Sequence, residues 1–154
     1  RKLKKKILGS SNWKKLQHRI ALSHEAVANR RKDYHFKLAH KLCKNVGMIF
    51  VEDINFISWS KGLFRKQSLD MGLGQFFDIL EYICGQTDTY FAKVDKNYTS
   101  QICPNCGTHT GKKELSERIH RCQECGFECD RDIAAAMVIK DRGLNNIAVG
   151  LPVI

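Results

Sequence analysis

The stretch "CPNCGTHTGKKELSERIHRCQECGFECDRD", residues 103–132, decides the fold because it holds two Cys-x2-Cys pairs separated by fifteen residues. Such a pair directs both sulfur atoms towards one point, and two pairs supply the four thiolates of a tetrahedral site. The predicted ligands of a structural Zn²⁺ are Cys103, Cys106, Cys122 and Cys125. Because four sulfurs fill the coordination sphere, this zinc would stabilise the fold and would not activate water. Iron in a rubredoxin-like site, or two disulfides, are the alternatives.

The other cysteines, and the histidines inside this stretch, are not predicted to bind metal. Cys43, Cys84 and Cys129 are scattered along the chain, and we expect them to be small buried side chains. His109 and His120 are expected to face solvent or phosphate groups.

The stretch ends in two acids at the start of a predicted helix. Asp130 and Asp132 suit an N-cap and a first turn, where the helix dipole favours negative charge. The following residues, "IAAAMVIK", are small and apolar, which predicts close packing on a sheet in a helix that ends at Gly143. The zinc module would then fix where this helix begins and hold its leading acid at the edge of the sheet.

Two short apolar runs predict the sheet itself. Residues 46–51 read as a buried strand that delivers Glu52 and Asp53 at its carboxyl end, and "TYFAKVD" reads as a second strand that ends at Asp95. If Glu52 and an acid of this helix start, Asp130 or Asp132, meet at one edge, they form a magnesium site, because Mg²⁺ prefers oxygen ligands. The alternative for Glu52 is an ordinary polar residue at the start of a loop.

Two helices complete the predicted elements. Ser11 or Asn12 can N-cap a helix that opens at Trp13 and continues to about Asn45, a length of about 50 Å; the pattern also allows a break near Asn29. Its predicted apolar stripe consists of Trp13, Leu16, Ile20, Val27, Tyr34, Leu38 and Leu42. The run "QFFDILEYICGQ" predicts a shorter helix, whose apolar face is formed by Phe76, Leu80, Ile83 and Cys84.

The positive charge is concentrated at the start of the chain. Residues 1–50 hold fourteen Lys and Arg against two acids, a net charge of +12, whereas residues 51–154 carry a net charge of −2. Such a basic block is typical of polyanion binding, nucleic acid above all, although a solubilising surface or a patch for anionic membranes has the same charge. The predicted nucleic-acid-binding residues are Lys14, Lys15, Arg19, Arg30, Arg31, Lys32 and Lys37.

The sequence predicts no membrane segment. It has no run of eighteen apolar residues, and its basic N-terminus lacks the apolar core of a signal peptide. Paired cysteines at metal-binding spacing also suit a reducing compartment. We therefore expect a cytoplasmic protein.

The order of these motifs resembles one protein family. The motifs are "GSSNWKKLQHRIALSHEAVANRRKDYHFKLAHKL", "IFVEDI", "LDMGLGQFFDILEY", "VDKNYTSQICPNCG", "HRCQECGFECDRD" and the small-residue helix. With these motifs the chain resembles, over nearly its whole length, the C-terminal part of TnpB proteins. These proteins, also called OrfB transposases, are transposon-encoded relatives of the type V CRISPR effectors.

The resemblance implies an α/β chain with a partial RNase H-like (RuvC) fold, a long basic helix and an inserted four-cysteine zinc ribbon. Residues 1–98 would be a partial RuvC nuclease domain with a basic helical arm. Residues 99–128 would be the zinc ribbon, and residues 129–154 the last RuvC helix and the tail.

The resemblance also assigns the site. Glu52 corresponds to the second acid of RuvC and Asp132 to the third, with Asp130 as the alternative, and these catalytic residues would hold Mg²⁺. The Asn that the family places two residues after the last acid is Ala134 here. The first acid belongs on a strand upstream of the long helix. We therefore expect a fragment with little activity of its own, whose missing N-terminal part would come from the parent protein or from another chain.

Members of this family are RNA-guided DNA endonucleases, in which a guide RNA reads the target and the protein supplies backbone contacts and hydrolysis. The implied partners are DNA and guide RNA, and the implied cofactors are structural Zn²⁺ and catalytic Mg²⁺. The implied location is the prokaryotic cytoplasm, in association with the nucleoid. The alternatives are a non-catalytic nucleic-acid-binding accessory or regulatory module and, more distantly, a ribbon that docks proteins.

Overall fold

The computed structural model describes residues 7–59, 70–114 and 116–150. The predicted basic arm at residues 1–6 lies outside them. The chain divides into two compact units, and each unit is assembled from two segments. The helical unit comprises the described parts of Arg1–Asn45 and Phe56–Thr87. The sheet unit comprises the described parts of Val46–Asn55 and Asp88–Ile154.

The chain contains both helices and strands, which confirms the predicted mixed α/β class. In chain order the elements are α1 (Ser11–Cys43), β1 (Met48–Glu52), α2 (Phe56–Trp59), α3 (Leu73–Gln86), β2 (Tyr90–Val94), β3 (Ile119–Arg121), β4 (Glu128–Asp130) and α4 (Arg131–Ala148). The pair β1–β2 is parallel and the pair β3–β4 is antiparallel. Within the described residues, no helix has the length and apolarity needed to cross a membrane.

Helix α1 begins at Ser11, shortly after the basic arm. The side-chain oxygen of Ser10 accepts a hydrogen bond of 3.2 Å from the backbone N–H of Trp13, so the N-cap is Ser10. The prediction of Ser11 or Asn12 was wrong, because three consecutive residues can each cap a helix and only the backbone conformation selects one. The helix continues through Asn29 without a break, since neither Pro nor Gly interrupts its hydrogen bonds.

Helix α1 packs against α3 in the helical unit through its C-terminal half. The residues that α1 buries are His35, Ala39 and Cys43. Four residues of the predicted stripe are exposed: Ile20, Val27, Tyr34 and Leu42. The stripe was wrong here because the small side chains of Ala39 and Cys43 allow close approach on a neighbouring side of the helix. The predicted face of α3 was largely right, with Phe76 half-buried and four residues buried: Ile79, Leu80, Ile83 and Cys84.

The parallel pair sets the edge at which acidic residues collect. Glu52 is the last residue of β1 and pairs with Val94, so β1 begins and ends later than the predicted range 46–51. Asp95 follows directly after β2. Because parallel strands end at the same edge of a sheet, Glu52 and Asp95 both lie at that edge.

Helix α4 covers the parallel pair and brings a glycine against β1. Ala134, Val138 and Gly143 form the buried side of α4. A Cβ added at Gly143 would lie 2.5 Å from Phe50 Cε1 and nearer still to Cδ1 and Cγ, so only glycine allows this contact. The prediction that Gly143 ends the helix was wrong, since α4 continues to Ala148 and the glycine serves packing.

Candidate functional site

The four cysteines of the predicted zinc site lie together in the sheet unit. Their sulfur atoms are all within 4.8 Å of one another. The distances Cys103 Sγ–Cys125 Sγ and Cys106 Sγ–Cys122 Sγ are both 3.6 Å. Four sulfurs that each lie 2.3 Å from a central Zn²⁺ are about 3.8 Å apart in a regular tetrahedron. The cluster therefore fits a metal ion such as zinc.

Each cysteine pair is closed by a glycine. The backbone N–H of Gly107 donates to the carbonyl of Cys103 at 2.9 Å, and that of Gly126 donates to the carbonyl of Cys122 at 3.0 Å. Both glycines have a positive φ, 75° and 72°, which a side chain would disfavour. The sequence C-x2-C-G therefore encodes the turn as well as the ligands.

Polar neighbours favour the thiolate form of the two exposed cysteines. The contact of 3.4 Å between Thr108 Oγ1 and Cys106 Sγ stabilises the thiolate and lowers the pKa of Cys106 to about 6. The side chain of Asn105 lowers the pKa of Cys125. Burial instead raises the pKa of Cys103 to about 11, so this thiol requires a cation to ionise at neutral pH. Sequence reasoning missed Thr108 and Asn105 because the spacing identifies ligands and not the groups that turn towards them.

The two histidines of the ribbon differ in exposure. His109 is exposed, and its ring lies 5.4 Å from the ring of Tyr98. His120 is fully buried beside Phe127, so the expectation that it faces solvent or phosphate was wrong. It is the central residue of β3, and its two neighbours in the strand point outward. Neither histidine belongs to the cysteine cluster found among the described residues.

Glu52 is anchored through one carboxylate oxygen. Its Oε1 accepts a hydrogen bond of 2.6 Å from the hydroxyl of Thr99, which is itself 6% exposed. The Glu52 side chain is half-buried. Among the described residues, Thr99 is the side chain that hydrogen-bonds this carboxylate, which leaves Oε2 for another ligand. The sequence offered no sign of Thr99, because 47 positions separate the two residues.

Asp95, the second acid at this edge, stabilises the surrounding structure. Asp95 Oδ1 accepts hydrogen bonds from the backbone N–H of Asn97 at 3.1 Å and from its side-chain amide at 2.7 Å. Arg142 of α4 donates to the Asp95 carbonyl and lies 3.8 Å from Asp95 Oδ2. Asp95 thus holds its own turn and fastens α4 to the end of β2. Arg142 is a further residue that the sequence reasoning did not single out.

The two acids that begin α4 have different roles. Asp130 is the N-cap, since its Oδ1 accepts hydrogen bonds from the backbone N–H groups of Asp132 at 2.8 Å and Ile133 at 3.3 Å. Asp132 lies exposed in the first turn, and no described side chain hydrogen-bonds its carboxylate. Within the described residues, the tetracysteine cluster is the one group of three or more potential metal ligands. Among these residues, neither Glu52 nor Asp132 therefore belongs to such a group.

The predicted nucleic-acid-binding residues lie along α1. All are exposed except Arg31, which is half-buried and donates to the carbonyl of Asp70 at 2.8 Å. At about 100° per residue, four of them lie on the side opposite His35 and form what we call the basic ridge: Lys15, Arg19, Arg30 and Lys37. Lys37 is also paired with Asp33 at 2.7 Å on the exposed surface.

Two family models match the chain. The model described as "Probable transposase" matches residues 1–60, and the model described as "Cas12f1-like, TNB domain" matches residues 74–139. A "Putative RNA-guided DNA endonuclease" of Streptomyces pristinaespiralis is 31% identical over 97% of this chain and 38% of its own length. The "Putative RNA-guided DNA endonuclease InsQ" of Escherichia coli K12 is also 31% identical, over 97% of this chain and 41% of its own length.

A solved structure shares the fold. In the "Cryo-EM structure of the Cas12f1-sgRNA-target DNA complex", the matching chain has a TM-score of 0.65 at 20% identity, over 83% of this chain and 38% of that chain. The chain spans about two fifths of the length of the two bacterial relatives. The two family models and the two relatives together support a TnpB-type protein.

Proposed function

We propose that this chain is the C-terminal part of a TnpB-type RNA-guided DNA endonuclease and contributes part of a RuvC-type, RNase H-like nuclease domain. The observation that carries the proposal is the position and hydrogen bonding of the Glu52 carboxylate. This carboxylate lies at the end of the half-buried parallel strand β1, with Oε1 anchored by Thr99 and with no described residue hydrogen-bonded to Oε2. A half-buried acid with one held oxygen and one open oxygen suits a metal ligand, because little side-chain freedom is lost on binding.

Glu52 and Asp132 would hold catalytic Mg²⁺, together with the first acid of RuvC from outside the chain. The cap formed by Asp130 favours Asp132 as the ligand, because the Asp130 carboxylate already satisfies two backbone N–H groups. The contact of Arg142 with Asp95 fastens α4 to the end of β2, in the same sheet unit that carries Glu52. When bound, Mg²⁺ supplies activation of water and charge stabilisation at the phosphodiester.

The tetracysteine cluster would hold structural Zn²⁺. Its sulfur–sulfur distances fit zinc, and four thiolates leave no position for substrate water. In this proposal residues 99–128 are the zinc ribbon, inserted between a partial nuclease domain at residues 1–98 and its last helix and tail at residues 129–154.

The basic ridge of α1 would contact the sugar-phosphate backbone of guide RNA or of its heteroduplex with target DNA. The similar Cas12f1 chain was solved with sgRNA and target DNA, which supports these partners. Arginine and lysine side chains on one side of a helix can neutralise backbone phosphates, and such contacts carry no sequence information. We place this activity in the prokaryotic cytoplasm, at the nucleoid.

A second candidate is a non-catalytic nucleic-acid-binding module. It is favoured by one observation: among the described residues, neither Glu52 nor Asp132 belongs to a group of three or more potential metal ligands. In that case the basic ridge and the ribbon would act while both carboxylates remained without metal.

Manganese binding separates the two candidates. In the ¹⁵N-labelled, zinc-loaded chain, paramagnetic Mn²⁺ should broaden the amide signals of Glu52 and Asp132 first, and Glu52→Gln or Asp132→Asn should remove this broadening. Asp53→Asn is the matched control, because Asp53 is an exposed acid next to Glu52 that the proposal leaves out. Broadening that persists in the Glu52→Gln variant, or that is lost only in the Asp53→Asn variant, would exclude the proposed site. A chimera in which this chain replaces the matching segment of the Escherichia coli relative should cleave guided DNA and lose cleavage with Glu52→Gln.

A further inference from the structure

We infer that Thr99 is a positioning residue that couples the tetracysteine ribbon to the carboxylate of Glu52. The inference rests on the proposed magnesium site and adds its regulation: the metal content of the ribbon controls how firmly Glu52 is held. It follows from one short hydrogen bond and from the backbone contacts that carry it to the cysteines.

The hydrogen bond between Thr99 and Glu52 is short, and its donor, Thr99, is buried. At 2.6 Å it has the length of a hydroxyl bonded to an ionised carboxylate, which is among the stronger hydrogen bonds in proteins. Among the described residues, the competing acceptor for the single hydroxyl proton is the carbonyl of Lys96, at 3.4 Å. The Thr99 hydroxyl therefore donates its proton to Glu52, and this hydrogen bond fixes the rotation of the Glu52 carboxyl group.

An unusual turn aims Thr99 at Glu52. Asp95 Oδ1 holds the backbone N–H of Asn97. Tyr98 then adopts a positive φ of 61°, which few residues with side chains tolerate. The backbone N–H of Gln101 donates to the carbonyl of Tyr98 at 2.9 Å and closes the turn. Because strained conformations of this kind persist only where surrounding contacts hold them, the turn depends on its neighbours.

The last residue of this turn, Gln101, contacts the loop that carries the first cysteine pair. The carbonyl of Gln101 accepts from the backbone N–H of Thr110 at 2.7 Å and from its hydroxyl at 3.0 Å. The backbone N–H of Cys103 donates to the carbonyl of Thr108 at 2.9 Å. Residues 101–110 thus form a hairpin-like loop that carries two metal ligands at one end and is joined to Thr99 through Ser100 at the other.

Metal in the cluster therefore stabilises the loop, the loop holds the turn, and the turn keeps the hydroxyl of Thr99 on Glu52. Without the metal, the loop loses its main cross-link, since structural zinc supplies much of the folding energy of such small modules. The Glu52 carboxyl group would then rotate freely. Loss of a partner that orients a metal ligand typically weakens metal affinity by about 10- to 100-fold.

Nuclear magnetic resonance of the ¹³C,¹⁵N-labelled chain tests this coupling. Two readouts are measured: ¹³C relaxation of the Glu52 side chain, and the Mn²⁺ concentration that half-broadens the Glu52 amide. Thr99→Val should mobilise the side chain and raise that concentration by about 10- to 100-fold. Thr99→Ser, which keeps the hydroxyl, should restore both values. Thr89→Val is the matched control, because Thr89 is equally buried at 6% exposure but lies at the opposite end of β2.

Zinc removal by a selective chelator completes the test. Zinc removal should increase the mobility of the Glu52 side chain in the wild-type chain and in the Thr99→Ser variant. In the Thr99→Val variant, where this side chain is already mobile, it should cause no further increase. A Glu52 side chain that stays ordered in Thr99→Val, or after zinc removal, would overturn the inference. So would unfolding of β1 and β2 on zinc removal, because order would then not depend on this hydroxyl. If Mn²⁺ fails to broaden Glu52 in the wild-type chain, the magnesium proposal fails, whereas the relaxation readout still decides the role of Thr99.

Discussion

Replacing Gly143 with alanine is expected to destabilise the sheet unit, although alanine normally stabilises a helix. The added Cβ would lie 2.5 Å from Phe50 Cε1, whereas carbon atoms in contact prefer about 3.5–4.0 Å. The aromatic ring must therefore move by about 1 Å or more, and overpacking of this kind costs about 1–3 kcal/mol. Alanine recovers up to about 1 kcal/mol through its helix propensity. Taking the upper end for so large an overlap, the net loss is about 2 kcal/mol in the free energy of unfolding.

Urea unfolding of the zinc-loaded chain, followed at the amide signals of β1 and α4, measures this loss in the sheet unit alone. Gly85→Ala in α3 is the matched control, because a Cβ there meets no described heavy atom within 4 Å. It should leave the helical unit unchanged or stabilise it by up to about 1 kcal/mol. Adding Phe50→Leu to Gly143→Ala should relieve part of the overlap, so the two changes should be non-additive. A Gly143→Ala chain as stable as the wild type would refute the assigned packing of α4 on β1.

Two further predictions concern the helical unit. Burial, followed by the charge of Arg31, lowers the pKa of His35 below its ordinary value of 6.5. His35 therefore binds a proton less readily in the folded state than in the unfolded state. The free energy of unfolding is unaffected by this difference above about pH 6.5 and decreases as the pH falls below it. The urea midpoint should fall between about pH 7.5 and about pH 5.5 by more in the wild type than in His35→Phe, and equal falls would contradict this. On the basic ridge, Lys15→Ala should reduce the salt dependence of heteroduplex binding by about one unit of slope. Lys14→Ala, an adjacent change off the ridge, should reduce it less, and equal slopes would remove the ridge from the interface.

The parts of the fold that were predictable are those whose determinants are local. The spacing of Cys103, Cys106, Cys122 and Cys125 predicted a cluster because a C-x2-C turn brings its own two sulfurs together. Strand β1 was placed within two residues, and Glu52 was correctly expected at its carboxyl end. Helix α3 was recognised by its period, since its buried residues recur at helical spacing.

The parts that were missed depend on residues far apart in the chain. A glycine near the end of a helical pattern normally indicates a cap, and only the position of Phe50 in another element shows that Gly143 serves a contact. Thr99 stands in a polar turn with no local feature to distinguish it from its neighbours. The exposed stripe of α1 was likewise misjudged, because a helix can bury small residues such as Ala39 in place of its larger ones.

Strand β4 passes into α4 with no residue between them, since Asp130 ends the strand and Arg131 starts the helix. The phase of the helix is therefore locked to the register of the β3–β4 hairpin. Inserting a single amino acid at this junction would turn every α4 side chain by about 100° about the helix axis. A ribbon of different length can thus be exchanged between relatives only if the difference in length lies in the loop between β3 and β4. It must not lie at the junction of β4 and α4.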